Sequence, residues 1–230
     1  MNARSAWILG LSMGPIAAPA AAQGTVVDRG QFVITVDGRI AGSEDFVIRR
    51  AGLGRGDAIF VNGVVLLDVG GREQEVRSLL RASPPEGAAA SYQVTVTGPG
   101  AMELRLARAG RRYIATISSE IGEERREFQA QPETRVLEQG VAHHYYFLRD
   151  LRDGRSAHVL EPRSRRQVSL VAGPRVDEEI QVGRNVVQAR RVEFTSGSDR
   201  RIVWYDRQGR VLRVEIPAIG YMAERTDLVG

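Results

Sequence analysis

Few residue types in this chain can do chemistry, and most of those cluster around one short stretch. His143 and His144 sit side by side in EQGVAHHYYFLRDLRDG (138 to 154), and His158 follows. Neighbouring positions on a helix point about 100° apart, so adjacent histidines do not easily share one metal ion. No cysteine and no His-x-x-x-His spacing joins them, so no metal is expected and the pair reads as part of an amphipathic helix surface. Asp177-Glu178-Glu179 lacks the alternating oxygen ligands and central glycine of a calcium loop, and reads as a solvated strand end. Glu44-Asp45 and Glu123-Glu124 offer paired acids, but spacing alone does not converge two carboxylates on one substrate.

Nucleophile and nucleotide motifs fare no better. Gly10-Leu11-Ser12-Met13-Gly14 has the spacing of a hydrolase nucleophile elbow, but an elbow needs a strand before it and a helix after it. A phosphate loop needs a lysine, and the chain has none; Gly52-x-Gly54-x-Gly56 lacks the dinucleotide spacing. No catalytic residue and no cofactor is therefore nominated, and the expectation is a protein that is not an enzyme. A hydrolase acting through carboxylates gathered in one cleft stands as an alternative.

The first 22 residues account for the stray elbow. MNARSAWILGLSMGPIAAPAAA has one early arginine, an uncharged run from Ser5 and small residues at Ala20-Ala21-Ala22, the pattern of a cleaved secretory signal. Pro15 and the flanking alanines make it a poor membrane span, and nothing later approaches 20 apolar residues. The expected mature protein, residues 23–230, is a soluble single domain of the periplasm. It has no disulfide framework and no lipid-modified cysteine, because cysteine is absent.

All 32 basic side chains are arginine, which reads as a coding bias. The isoelectric point near 9.9 suggests a nucleic-acid partner only at first sight. Beyond the leader 31 arginines face 28 acids, and with few groups titrating near neutrality a small surplus carries the isoelectric point upward. Arg-rich strands with few exposed aromatics also fail as single-strand nucleic-acid platforms. No nucleic-acid partner is expected.

From Gly30 onward, alternating runs about ten residues long recur between turn signals, which predicts a meandering antiparallel sheet. Asp37-Gly38 marks a tight hairpin, whereas Asn62-Gly63 reads either as a turn or as the middle of a strand ending at Gly70-Gly71. The stretch 138 to 154 breaks the period. Val141, His144, Tyr145, Leu148 and Leu151 fall on one face of a short helix, with Arg149 and Arg152 in its last turn and Gly154 as its cap. The closing hairpin turns at Asp206-Arg207-Gln208-Gly209. That loop sets Trp204 opposite Leu212 and Ile202 opposite Val214 on an apolar face, and Arg201, Val203 and Tyr205 on a charged, wet one.

The fold class expected is mainly β: a single curved antiparallel sheet, an open half-barrel, with one short helix across its apolar concave face. Tyr145, Tyr146 and Phe147 either pin that helix to the sheet as core or line a cavity for an apolar ligand.

The opening G-x-F-x-I-x-x-x-G-x-I-x-G-x-E (Gly30 to Glu44), the mid-chain aromatic helix and the closing W-x-D-x-x-G-x-x-L-R-x-E-I-P (Trp204 to Pro217) resemble periplasmic proteins of the LolA/LolB-like lipoprotein-carrier fold. The resemblance implies an incomplete barrel that holds acyl chains on its concave side. The chain departs from it in having one short helix where the carriers have several lid helices, which leaves a smaller hydrophobic ligand as an alternative occupant. The expected role is thus a non-enzymatic periplasmic binding module for a lipid or other apolar ligand, bound by Phe32, Ile34, Tyr145, Phe147, Trp204 and Leu212. An envelope scaffold with a filled core and no ligand is the competing reading.

Overall fold

A computed structural model describes residues 24–52, 57–85 and 87–227. The proposed leader and most of the Gly52-to-Gly56 motif lie outside these residues. β1 (Thr25–Val36) and β2 (Arg39–Ala51) form the first hairpin, in which Asp37 and Gly38 both have positive φ, as a tight two-residue turn requires. β3 (Ala58–Asp68) is one long strand running through Gly63 and turning only after Asp68, which decides between the two readings of Asn62-Gly63. β4 (Glu73–Ser83), β5 (Ala88–Thr97), β6 (Met102–Ala109), β7 (Arg112–Ser119) and β8 (Gly122–Gln129) continue the meander, each antiparallel to the last.

Two-residue β9 (Arg135–Val136) then leads into a 3-10 helix, Ala142–Leu148. β10 (Ser156–Glu161), β11 (Arg166–Ala172), β12 (Val176–Val182), β13 (Asn185–Ser196), β14 (Asp199–Tyr205) and β15 (Val211–Ile216) follow; a 3-10 turn at Pro217–Ile219 leads to β16 (Tyr221–Arg225). All sixteen strands belong to one sheet, ordered β8-β7-β6-β5-β4-β3-β2-β1-β16-β15-β14-β13-β11-β10-β9, with β12 paired to β13 alone. Among the described residues only β9 and β10 run parallel. No helix among the described residues is long and apolar enough to cross a membrane.

Strand alternation puts one side chain in two on the inner face, and nearly every strand feeds the same core. The sheet curls around that core without closing into a barrel. The end strand β8 is tied by side chains to β11, two places in from the other end: the Gln129 amide N–H donates to Gln167 Oε1 at 3.1 Å, and Gln167 Nε2 donates to the Gln129 carbonyl at 2.7 Å.

Two expectations are corrected. The helix is shorter than 138 to 154 and has no wet face: every residue from Ala142 to Leu148 is buried, His143 and His144 completely. The 3-10 geometry has three residues per turn, so the 3.6-residue spacing does not describe it, and no face of it is left to solvent. Gly154 is no helix cap; it lies in the next turn, where its N–H meets the Ala172 carbonyl at 2.8 Å.

The last hairpin is also shifted by one residue. Ile202 pairs with Glu215, Val203 with Val214 and Trp204 with Arg213, until a bulge after Trp204 returns Tyr205 to Val211. A one-residue slip exchanges the faces of a strand. Val203 and Tyr205 therefore point into the main core, and the face expected to be wet is the interior one.

Candidate functional site

The structure brings four of the six proposed ligand residues together. Phe32 and Ile34 on β1 and Tyr145 and Phe147 on the helix all belong to the main core. Trp204 and Leu212 do not join them. They pack with Ile180, Val182, Ala189 and Ile202 in a second, smaller cluster on the other side of the sheet, where the β12–β13 hairpin folds back over β14 and β15. Trp204 Nε1 donates to Glu178 Oε1 at 2.5 Å, and the Arg213 guanidinium lies 5.5 Å from the indole centre. The acids at 177 to 179 thus lie along β12, and Glu178 has a specific partner.

Inside the main core the helix is held by polar contacts that the sequence reading missed. Glu44 is fully buried, and its two oxygens accept the N–H of Ala142 (2.7 Å) and of His143 (2.8 Å), while His143 Nδ1 lies 2.7 Å from the same carboxylate. These are the free N–H groups at the start of the helix, where a carboxylate also complements the local dipole. The signal was present: Glu44 shares its parity on β2 with Phe46 and Ile48, so it had to face inward.

A run of rings continues from there. Phe32 stacks on Phe46, Phe46 on His143, His143 meets His144 edge-on, and His144 meets Tyr92 edge-on, with centroid spacings from 4.6 to 5.6 Å. His144 Nδ1 accepts the Glu138 N–H at 3.1 Å, so that nitrogen carries no proton and the ring is neutral. Burial, then the neighbouring His143 and Arg163, hold the His144 pKa well below its ordinary 6.5. Burial pushes the Glu138 carboxyl up, opposed by Arg163, whose Nε lies 3.1 Å from Glu138 Oε1. Burial and the adjacent Glu138 push the Tyr92 hydroxyl up as well. An imidazole oriented by a carboxylate, as His143 is by Glu44, can relay a proton in a solvent-reached cleft. Here both side chains have zero exposure, and the pair serves as a lock on the helix.

Beside these residues, a groove of about 620 Å³ crosses the outside of β1 to β4. Its floor is the paired row Gly30, Phe46, Gly63 and Ser78. Its walls include Gln31, Asp45 and Val64 on one side and Val47 and Asn62 on the other. The two glycines are dictated from within. A methyl group at Gly63 would overlap His143 Cε1, and one at Gly30 would overlap the guanidinium of Arg225. The wall between groove and core is therefore one backbone thick, and Phe46 is shared by both.

No known protein family and no curated protein matches the chain. Among solved structures, the chain resembles a β-barrel-like protein of the domain of unknown function DUF1849 from Brucella abortus, with a TM-score of 0.51 and 10% identity over 86% of this chain and 95% of that one. A DUF1089 family protein from Pseudomonas aeruginosa matches at a TM-score of 0.44 and 15% identity, over 76% of this chain and 90% of that one. The first likeness is one of fold, and it is to a barrel-like β protein.

Proposed function

We propose that the chain is an exported, non-enzymatic binding module of the periplasm that takes a lipid or other apolar group. The observation that carries this reading is the groove of about 620 Å³ across β1 to β4, a volume within the range of small-molecule sites, with Val47 and Val64 in its walls. The groove replaces the concave interior as the binding surface, because the 3-10 helix already fills that interior. Val47 and Val64 supply apolar contact, and Arg29 at its edge suits an anionic head group. The leader pattern at residues 1–22 supports export, which the mass of the protein recovered from a periplasmic extract checks: residues 1–22 should be missing.

Organic extraction of protein purified from a native-like host, followed by mass spectrometry, tests the ligand. A lipid recovered from the wild type and absent from V47D/V64D supports the reading; an empty protein that also ignores fluorescent fatty-acid probes overturns it. The filled interior favours a second reading, an envelope scaffold without ligand. That reading expects no extracted lipid and identical probe behaviour in wild type and V47D/V64D.

A further inference from the structure

The 3-10 helix packs into the main core, yet it takes no part in the strand ladder. Polar ties hold it from outside. The Glu44 carboxylate accepts its first two N–H groups, the Tyr205 hydroxyl donates to the Tyr145 carbonyl at 2.9 Å, and Arg175 Nη2 donates to the Arg149 and Leu151 carbonyls at 3.1 and 3.3 Å. Gly140 and Gly154 bracket the segment, both with positive φ and with open space where a side chain would stand. A stretch built this way can swing out between its two glycines without breaking a bond between strands.

His144 is where such a segment feels acid. Its side chain has no exposure, and Nδ1 accepts the Glu138 N–H at 3.1 Å. The neutral ring therefore carries its proton on Nε2, and a second proton can go only to Nδ1, where it would set donor against donor. Around the ring stand Tyr92 from β5 and His143 from the helix, both edge-on, and Arg163 from the turn between β10 and β11, whose positive charge opposes another. The Glu138 carboxyl lies beside Tyr92; burial favours its neutral form, and Arg163 already pairs with it. Glu44, beyond His143, is engaged by the helix N–H groups and by His143 Nδ1.

A histidine that is neutral when packed and free to ionise when released ties the position of its segment to pH. The packed ring titrates below the ordinary 6.5, so the released ring takes the proton first. Each unit of pH below about 6.5 then shifts the balance up to tenfold toward release, until the packed ring itself titrates.

We propose that residues 141–151 form an acid-released plug: protonation of His144 drives the segment out of the concave interior while the sheet stays intact, and uncovers an apolar cavity walled by Phe46 and Tyr92. Those are the rings that His143 and His144 cover in the packed state. The plug and the outer groove are separate, so failure of one reading leaves the other standing.

Hydrogen exchange of the full chain from about pH 7.5 down to about 4.5, corrected for the intrinsic rate, tests it beside far-ultraviolet circular dichroism and the apolar dye 8-anilinonaphthalene sulfonate. Amides 142–148 should lose at least tenfold in protection across that range, while the centres of β2 to β4 keep theirs. Dye emission should rise as the β signal holds, and return to neutral pH should reverse both changes. H144N should keep the helix protected and the dye dark throughout. If that variant does not fold, NMR of the wild type decides: the His144 ring, with exposed His158 as reference, must gain its proton over the same pH interval in which the helix opens. Helix amides that stay protected to the lowest pH, opening only with loss of the β signal, an H144N that opens as the wild type does, or a His144 ring that titrates apart from the opening overturns the proposal.

Discussion

Glu44 shows how one side chain decides the state of a buried segment. It accepts both leading N–H groups of the helix and contacts the His143 ring, at a position closed to solvent. E44Q, which keeps the size and loses one acceptor oxygen, should lower stability by about 3 kcal/mol. In a chain of this length that is a fall of roughly 6 to 12 °C in melting temperature, readable by circular dichroism. G63A should cost about 1–3 kcal/mol, because the added methyl overlaps the His143 ring, which is packed on every side.

His144 adds a pH dependence. Its folded pKa lies below the unfolded value of 6.5, so the unfolded chain binds the extra proton first. Stability from its neutral, buried state is complete above about pH 6.5 and declines as the pH falls below it. The melting temperature should drop between pH 7 and 5, and H144N, which keeps an acceptor for the Glu138 N–H and does not titrate, should flatten that slope. At this scale the sequence was legible where parity could be read, as for Phe32 and Ile34. It was not legible at His143 and His144, because adjacent histidines carry no mark of how deeply a segment will be buried.

Among the elements, the closing hairpin shows what alternation conveys and what it does not. Its turn at Asp206 to Gly209 follows from residue chemistry, and Gly209 has the positive φ expected there. Its register depended on a bulge that no residue type announces, so the assigned faces of Trp204 and Val203 were exchanged. The second cluster that receives Trp204 was equally hidden, since it exists only because β12–β13 folds back over β14. That cluster has six buried apolar residues against several dozen in the main core. Amides of residues 176–191 should therefore exchange with solvent at least tenfold faster than those at the centres of β2 to β4, as hydrogen-exchange mass spectrometry will read. Trp204 emission should follow this local opening and ignore changes at the helix.

For the whole molecule, the meander of hairpins and the open, curled sheet were readable from turn signals and period alone. The seam was not, because β8 and β11 meet through Gln167 rather than through a ladder of backbone bonds. Q167A removes both bonds and should cost about 1 kcal/mol, with faster exchange at Gln129 as its local signature. The charged sequence of β8, GEERREFQ, guards an edge that carries no backbone ladder to β11 against pairing with another molecule.

The pairing of β1 with β16 reaches from Phe32 to Arg225 across almost the whole chain. Every other neighbour in the first half of the sheet is a local hairpin, able to zip as soon as its own two strands exist. The middle of the sheet must wait for the last strand to arrive, so two half-sheets should form early and their joining should set the pace of folding.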